Sequence, residues 1–136
     1  SFFRYSIYFN QGNFNLDIVV DSIEQFKGVF KSAISGEIKS ESVAEFNLDL
    51  LGAGNITLSG NAEFANILVK GSSILHGKEM EVKDMTVKLE GAGISSVYAS
   101  NSLDATVEGI GGINYSGNPE TVNKKVNGIG FIRNAN

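Results

Sequence analysis

The chain contains no cysteine, one histidine and one proline among 136 residues. Without cysteine it can hold neither a disulfide framework nor a thiolate metal site, and one histidine cannot assemble a histidine zinc cluster. The absence of cysteine is compatible with any redox compartment. No run of about 18 apolar residues exists, so no helical membrane span is expected. No signal-peptide pattern stands at Ser1, though a mature or trimmed chain would have lost one. Lysine and arginine number 11 against 15 acidic residues, a formal net charge of −4, and the cations are scattered. Nucleic acid is therefore not an expected partner, because phosphate binding needs clustered cations.

Glycine, by contrast, is abundant, with 16 residues. Paired with a single proline, this indicates many positions of unusual φ and a backbone ladder that proline does not interrupt. The hydrophobic fraction of 42% and charged fraction of 19% fit one globular domain.

Five of the glycines, Gly52, Gly71, Gly91, Gly109 and Gly128, are separated by 19, 20, 18 and 19 residues. A period near 20 indicates a stacked repeat. Two residues before each stand Leu50, Val69, Leu89, Val107 and Val126. Four before stand Leu48, Ile67, Val87, Ala105 and Lys124, and six before stand Phe46, Ala65, Met85, Leu103 and Val122. Only Lys124 in these rows is not apolar. The odd offsets are polar except for Leu51 and Leu68. Alternation with period two marks a half-buried strand, and here it occurs five times in register.

A second short strand follows each glycine. Ile56, Ile74, Ile94, Ile113 and Ile132 stand three or four residues beyond it, with Ile38 18 residues before Ile56. They are expected to form an isoleucine ladder. The expected fold is an all-β, parallel β-helix of about 19 residues per coil, in which each coil buries its apolar face against its neighbours. The competing architecture is an antiparallel β-sandwich, whose strands recur at 8–12 residues.

Residues 1–35 do not follow the glycine period and are expected to form a capping segment on a β-helix domain at 36–136. Phe3, Tyr5, Ile7 and Phe9, then Phe14, Leu16, Ile18 and Val20, alternate around a turn-like Asn10–Asn13, which predicts a β-hairpin. Asp21 and Glu24 have capping-box spacing, and Ile23, Phe26, Phe30, Ala33 and Ile34 recur at helical intervals before Gly36. This predicts a short helix, with a strand over Val29–Ser35 as the alternative. Such a segment would cover the raw edge of the first coil.

The end of the chain has a more specific pattern. Leu103-Asp104-Ala105-Thr106-Val107-Glu108-Gly109 leads into Gly112-Ile113-Asn114-Tyr115-Ser116-Gly117-Asn118-Pro119. Lys125-Val126-Asn127-Gly128-Ile129-Gly130-Phe131-Ile132 then closes it. This resembles the GIN domain, also described as a putative auto-transporter adhesin head domain, in which G-x-G-x-I turns recur and a Y-x-G-x-P segment precedes the last. Tyr115, Gly117 and Pro119 supply that segment. The resemblance covers roughly residues 36–136 and departs at Gly71-Ser72-Ser73, which lacks the middle glycine. It implies a right-handed β-helix from a bacterium, commonly of the Bacteroidetes, exported to the periplasm, outer membrane or cell surface. It carries over no catalytic residues.

Candidate chemistry is sparse. His76 beside Gly77 and Lys78 reads as a surface histidine in a corner. Gly71 to Lys78 has the glycines and lysine of a phosphate loop but the wrong spacing, and Glu79 stands where serine or threonine is needed. Gly109-Ile110-Gly111-Gly112 has no βαβ context for a dinucleotide. Glu79, Glu81 and Asp84 form the densest acidic group, but flanking Met80 and Val82 predict that the two glutamates project singly. Glu90 and Glu108, stacked on adjacent coils, are the nearest approach to a glycosidase carboxylate pair, with Lys70 and Lys88 close by. Tyr98 and Tyr115 are candidate sugar platforms, Tyr115 with an inward position. Asn55-Ile56-Thr57 and Asn114-Tyr115-Ser116 match the glycosylation sequon at strand starts.

The expected function is a non-catalytic envelope or surface binding and adhesion module with no cofactor and no metal. Its expected partner is an extended polysaccharide or a surface protein. The alternatives are a bactofilin-like β-helix that forms homo-oligomers through its coil ends, and a carbohydrate-active enzyme.

Overall fold

The computed structural model describes residues 4–9, 13–21, 24–31 and 33–135. They form one parallel sheet wound into a β-solenoid of about six turns, with ~19 residues per coil and no helix. The strands are β1 (Arg4–Phe9), β2 (Asn13–Asp21), β3 (Gln25–Phe30), β4 (Ala33–Leu50), β5 (Ala53–Ser116) and β6 (Thr121–Asn134). β5 runs through successive corners without a break. β1 pairs with β3, β2 and β3 with β4, β4 with β5, and β5 with β6, all in parallel. Parallel pairing excludes the antiparallel sandwich.

The even-offset rows form the dry interior. Leu50, Val69, Leu89 and Val107 stack in one column, Leu48, Ile67, Val87 and Ala105 in the next, and Phe46, Ala65, Met85 and Leu103 in a third, all buried. Each large side chain in such a column contributes on the order of 1.5–3 kcal/mol by leaving water. In β6 the column members Lys124 and Val126 are exposed and Val122 is half-buried. Lys124 stays in register opposite Ala105, without a bulge. Its Nζ lies 5.3 Å from the centroid of the Tyr115 ring, so the aliphatic stem follows the core row and the ammonium reaches an aromatic face.

The periodic glycines form a column of their own at a corner. Gly91 has φ 118° and Gly109 φ 129°, a region that residues with a Cβ rarely adopt. A Cβ on Gly91 would lie 2.7 Å from the Gly71 carbonyl oxygen, and one on Gly109 2.5 Å from that of Gly91. The backbones of successive coils meet there with no space for a side chain.

Three expectations are corrected. The first is the N-terminal hairpin. β1 and β2 do not pair with each other; β1 runs parallel to β3 from Arg4 opposite Gln25, and β2 parallel to β4 from Asn13 opposite Ala33. These steps of 21 and 20 residues make the segment the first coil of the solenoid. Asn10–Gly12, most of the supposed turn, lie outside the described residues, as does Ile23.

The second is the helix. Phe26 and Phe30 lie on β3, both fully buried, and Phe26 stacks on Phe46 at 5.2 Å and 18°. Residues four apart share a face in a helix and in a strand alike, so this pair could not separate the two. Gly28 lies between their rings: a Cβ there would be 2.9 Å from Phe30 and 3.4 Å from Phe26.

The third is the isoleucine ladder. Ile38 pairs with Leu58 rather than Ile56, and Ile74 and Ile94 are exposed. Positions three and four beyond the glycine lie on opposite faces. The inward row is the fourth, with Ile56, Leu75, Ser95, Ile113 and the half-buried Ile132.

Ser95 is the one polar member of that row. It is fully buried, and its hydroxyl has no hydrogen-bond partner among the described residues. An unsatisfied buried hydroxyl costs about 1–3 kcal/mol. Ser95→Ala is therefore expected to stabilise the fold by about 1 kcal/mol, read as a higher thermal midpoint. A midpoint equal to or below the parent's would mean the hydroxyl is satisfied.

Candidate functional site

The outward face of a solenoid is polar by default, so a site requires a departure from the regular ladder. One occurs midway along β4, where it pairs with β5. Ser40 pairs with Gly60 and Val43 with Ala62, so β4 advances one residue more than its partner. Ser42 takes up the extra residue at φ 56°, the only positive φ outside glycine among the described residues. Asn61 fastens the bulge: its Oδ1 accepts from the Ser42 amide at 3.0 Å, and its carbonyl accepts from the buried Ser40 hydroxyl at 3.3 Å. Bulges re-aim side chains, and this one opens a groove of about 620 Å³ lined by Ser42, Asn61, Glu63, Glu81, Lys83 and Tyr98, among others.

Within the groove, Lys83 and Glu63 form an ion pair at 3.1 Å. Tyr98 is half-buried. It packs against the next coil at Gly117, where φ is 88° and an added Cβ would lie 3.3 Å from the Tyr98 ring. Gly117 follows the end of β5, and Pro119, which cannot donate to a ladder, lies in the gap before β6. Tyr115 is buried in the core, on the inward face.

A second surface carries the stacked carboxylates. Glu90 is bridged by Lys88 at 2.9 Å and by Lys70 at 3.3 Å, and Lys88 reaches Glu108 at 3.9 Å. Hydrogen bonding from Lys88 holds the Glu90 carboxyl below its ordinary range, and the same contact raises Lys88. A glycosidase general acid needs the opposite shift. Beside this ladder, Asn66 donates to Asn47 at 3.0 Å across one coil.

The remaining candidates are dispersed. His76 and Lys78 project from β5, while Gly77 lies inward between Leu58 and Val97, so this stretch is strand rather than corner. Glu79 and Glu81 are exposed on either side of buried Met80. Asp84 is committed to Ser102 and Asn101, each donating at 2.7 Å, and their hydrogen bonds lower its carboxyl. No cluster of metal-ligating side chains exists among the described residues, and no helix there is long and apolar enough to cross a membrane.

Sequence reasoning found Tyr98 but missed Ser42, Asn61, Glu63 and Lys83 as its neighbours. The available signal was the polar run Ser40-Glu41-Ser42 opposite Gly60-Asn61, where the repeat changes step.

The fold has solved counterparts. A putative adhesin from Bacteroides fragilis NCTC 9343 superposes with a TM-score of 0.71 at 21% identity, covering 82% of this chain and 60% of that one. A putative lipid binding protein from Parabacteroides distasonis ATCC 8503 gives 0.68 at 24% identity, covering 97% and 56%. The chain thus spans less than two thirds of the length of either structure. Among functionally curated proteins none matches significantly. The family described as "Putative auto-transporter adhesin, head GIN domain" matches residues 10–119. A match over that much of the coil repeat, on a solenoid with solved counterparts, places this chain in the GIN head-domain family.

Proposed function

We propose that the domain is a non-catalytic surface binding module whose groove at Tyr98 receives an extended polysaccharide. The observation that carries this reading is the half-buried Tyr98 ring set among Ser42, Asn61, Glu63, Glu81 and Lys83 in the groove. A sugar ring offers an apolar C–H face, which an aromatic ring accepts, and a rim of hydroxyls, which amides and carboxylates accept. The groove opens on the flank of a rigid parallel sheet, so successive sugar units can lie along it without ordering a loop.

The family description and those of its structural neighbours, adhesin and lipid binding, support a binding role, and the adhesin descriptions support one exercised outside the cytoplasm. Within that class we place it in the periplasm, on the outer membrane or at the cell surface. The non-catalytic part of the proposal is supported by the ion-paired state of Glu90 and by the commitment of Asp84 to two donors.

A glycan array followed by titration of the best hit tests the proposal. Tyr98→Ala is expected to weaken that hit about tenfold or more, roughly 1.4 kcal/mol, and Glu90→Gln to leave it unchanged. No reducing sugar should be released. A blank array, or a Tyr98→Ala protein that binds like the parent, would overturn the groove assignment. Sugar release abolished by Glu90→Gln or Glu108→Gln would make the protein an enzyme.

A further inference from the structure

The flank beyond the corner glycines is apolar, and the Tyr98 groove makes no use of it. Ile110 and Ile129 pair in register across β5 and β6 and are 63% and 77% exposed. Ile74, Ile94 and Phe131, two positions further along the same outward face, are 42%, 44% and 37% exposed. The Phe131 ring lies over Gly112, whose missing side chain leaves room for it. Ile110 has a neighbouring coil on either side and is nonetheless 63% exposed, so the apolar character of this flank does not depend on β6 being uncovered. Large apolar side chains gathered on one water-facing surface mark a docking site.

Charge identifies what docks. The last coil, residues 117–135, holds Lys124, Lys125 and Arg133, three of the 11 cations, against a single acidic residue, Glu120. The Arg133 guanidinium lies 4.7 Å from the centroid of the Phe131 ring, and its Nε donates to Asn114 Oδ1 at 2.7 Å. On the opposite border, Glu90 and Glu108 are matched by Lys70 and Lys88. A chain of net charge −4 therefore carries one apolar surface with a cationic rim.

We propose that this flank docks on the interface of an anionic phospholipid bilayer. Ile110, Ile129 and Phe131 enter the boundary between headgroups and acyl chains, while Lys125 and Arg133 face the lipid phosphates. Apolar burial and attraction to anionic lipid act together in interfacial binding. A second copy of the chain fits the flank less well, because a two-fold contact sets the same cationic rims against each other. This site is separate from the Tyr98 groove and does not depend on the function assigned there.

Co-sedimentation of the intact chain with two vesicle preparations tests the proposal. One is phosphatidylcholine alone, the other equal parts phosphatidylcholine and phosphatidylglycerol. Binding is expected to the mixed vesicles, to fall as salt rises, and to persist in Tyr98→Ala. Ile110→Thr/Ile129→Thr, which keeps β-branched side chains on the sheet, should lower the partition about tenfold or more with an unchanged circular dichroism spectrum. Lys125→Glu/Arg133→Glu should remove the preference for anionic lipid. No binding to mixed vesicles, equal binding to neutral ones, or full binding by the isoleucine double variant would each overturn the proposal. So would a dimer in sedimentation velocity that the same double variant abolishes, which would assign the flank to a second copy.

Discussion

Replacing Gly91 with valine is expected to cost about 3–5 kcal/mol, enough to leave the fold marginal when native domains hold only about 5–15 kcal/mol in all. Two effects combine. At φ 118° a β-branched side chain is strained by about 1–3 kcal/mol. The new Cβ would also lie 2.7 Å from the Gly71 carbonyl oxygen and 3.0 Å from its nitrogen. Both are backbone atoms of the adjoining coil, so relief requires the coils to part, with loss of ladder hydrogen bonds worth about 1 kcal/mol each. Gly112→Ala is the control. Its Cβ would meet the Phe131 ring, an exposed side chain free to swing aside, and the cost should stay below about 1 kcal/mol. Thermal or urea unfolding of the two variants checks both figures. A Gly91→Val midpoint within a few degrees of the parent would mean that the glycine backbones do not stack.

The same contrast, backbone contact against side-chain contact, explains what could be read before the fold was known. The columns through Leu48, Val87 and Val107 were legible because apolar and polar residues alternate in five coils with a shared glycine to align them. The first coil was not, although it obeys the same geometry. It steps by 21 and 20 residues and none of the five aligning glycines falls within it, so its alternation revealed strands without naming their partners. A hairpin was the default for two adjacent alternating runs. The helix expectation for residues 22–34 rests on the capping-box spacing of Asp21 and Glu24 and on Ile23, Phe26, Phe30, Ala33 and Ile34, and the four-residue step from Phe26 to Phe30 and Ile34 suits either period.

The second strand was misread for a related reason. Ile74 and Ile113 are the same residue type at neighbouring offsets, and one position reverses the face. Composition favoured a buried ladder, whereas parity puts Ile74 in water and Leu75 inside. At the candidate site, Tyr98 could be picked out as an aromatic at a strand position. Its setting could not, because the groove depends on one extra residue at Ser42 and on Asn61 reaching across 19 residues to hold it. The only trace of such an arrangement in the sequence is the polar run Ser40-Glu41-Ser42 opposite Gly60-Asn61, which shows a change of step but not the groove it makes.

Val107→Asp is expected to be as damaging as the glycine change, through the core rather than the backbone. Val107 is fully buried, with Val126 in register on the next coil. Around it are apolar columns that offer no donor, so an aspartate there must remain unpaired, and an uncompensated buried charge costs on the order of 3–5 kcal/mol. Val126→Asp moves the same chemistry one coil outward, to an exposed position, and should cost less than about 1 kcal/mol. Acidity separates desolvation from simple loss of packing. Burial raises the pKa of a carboxyl, so the folded Val107→Asp protein binds a proton more tightly than its unfolded chain. Its deficit should be smallest below the unfolded value of about 3.9 and grow with rising pH by up to about 1.4 kcal/mol per unit, until the folded-state pKa is passed or unfolding intervenes. Urea unfolding at acidic and neutral pH reads this directly. A deficit independent of pH would place the carboxylate in water and remove residue 107 from the dry interior.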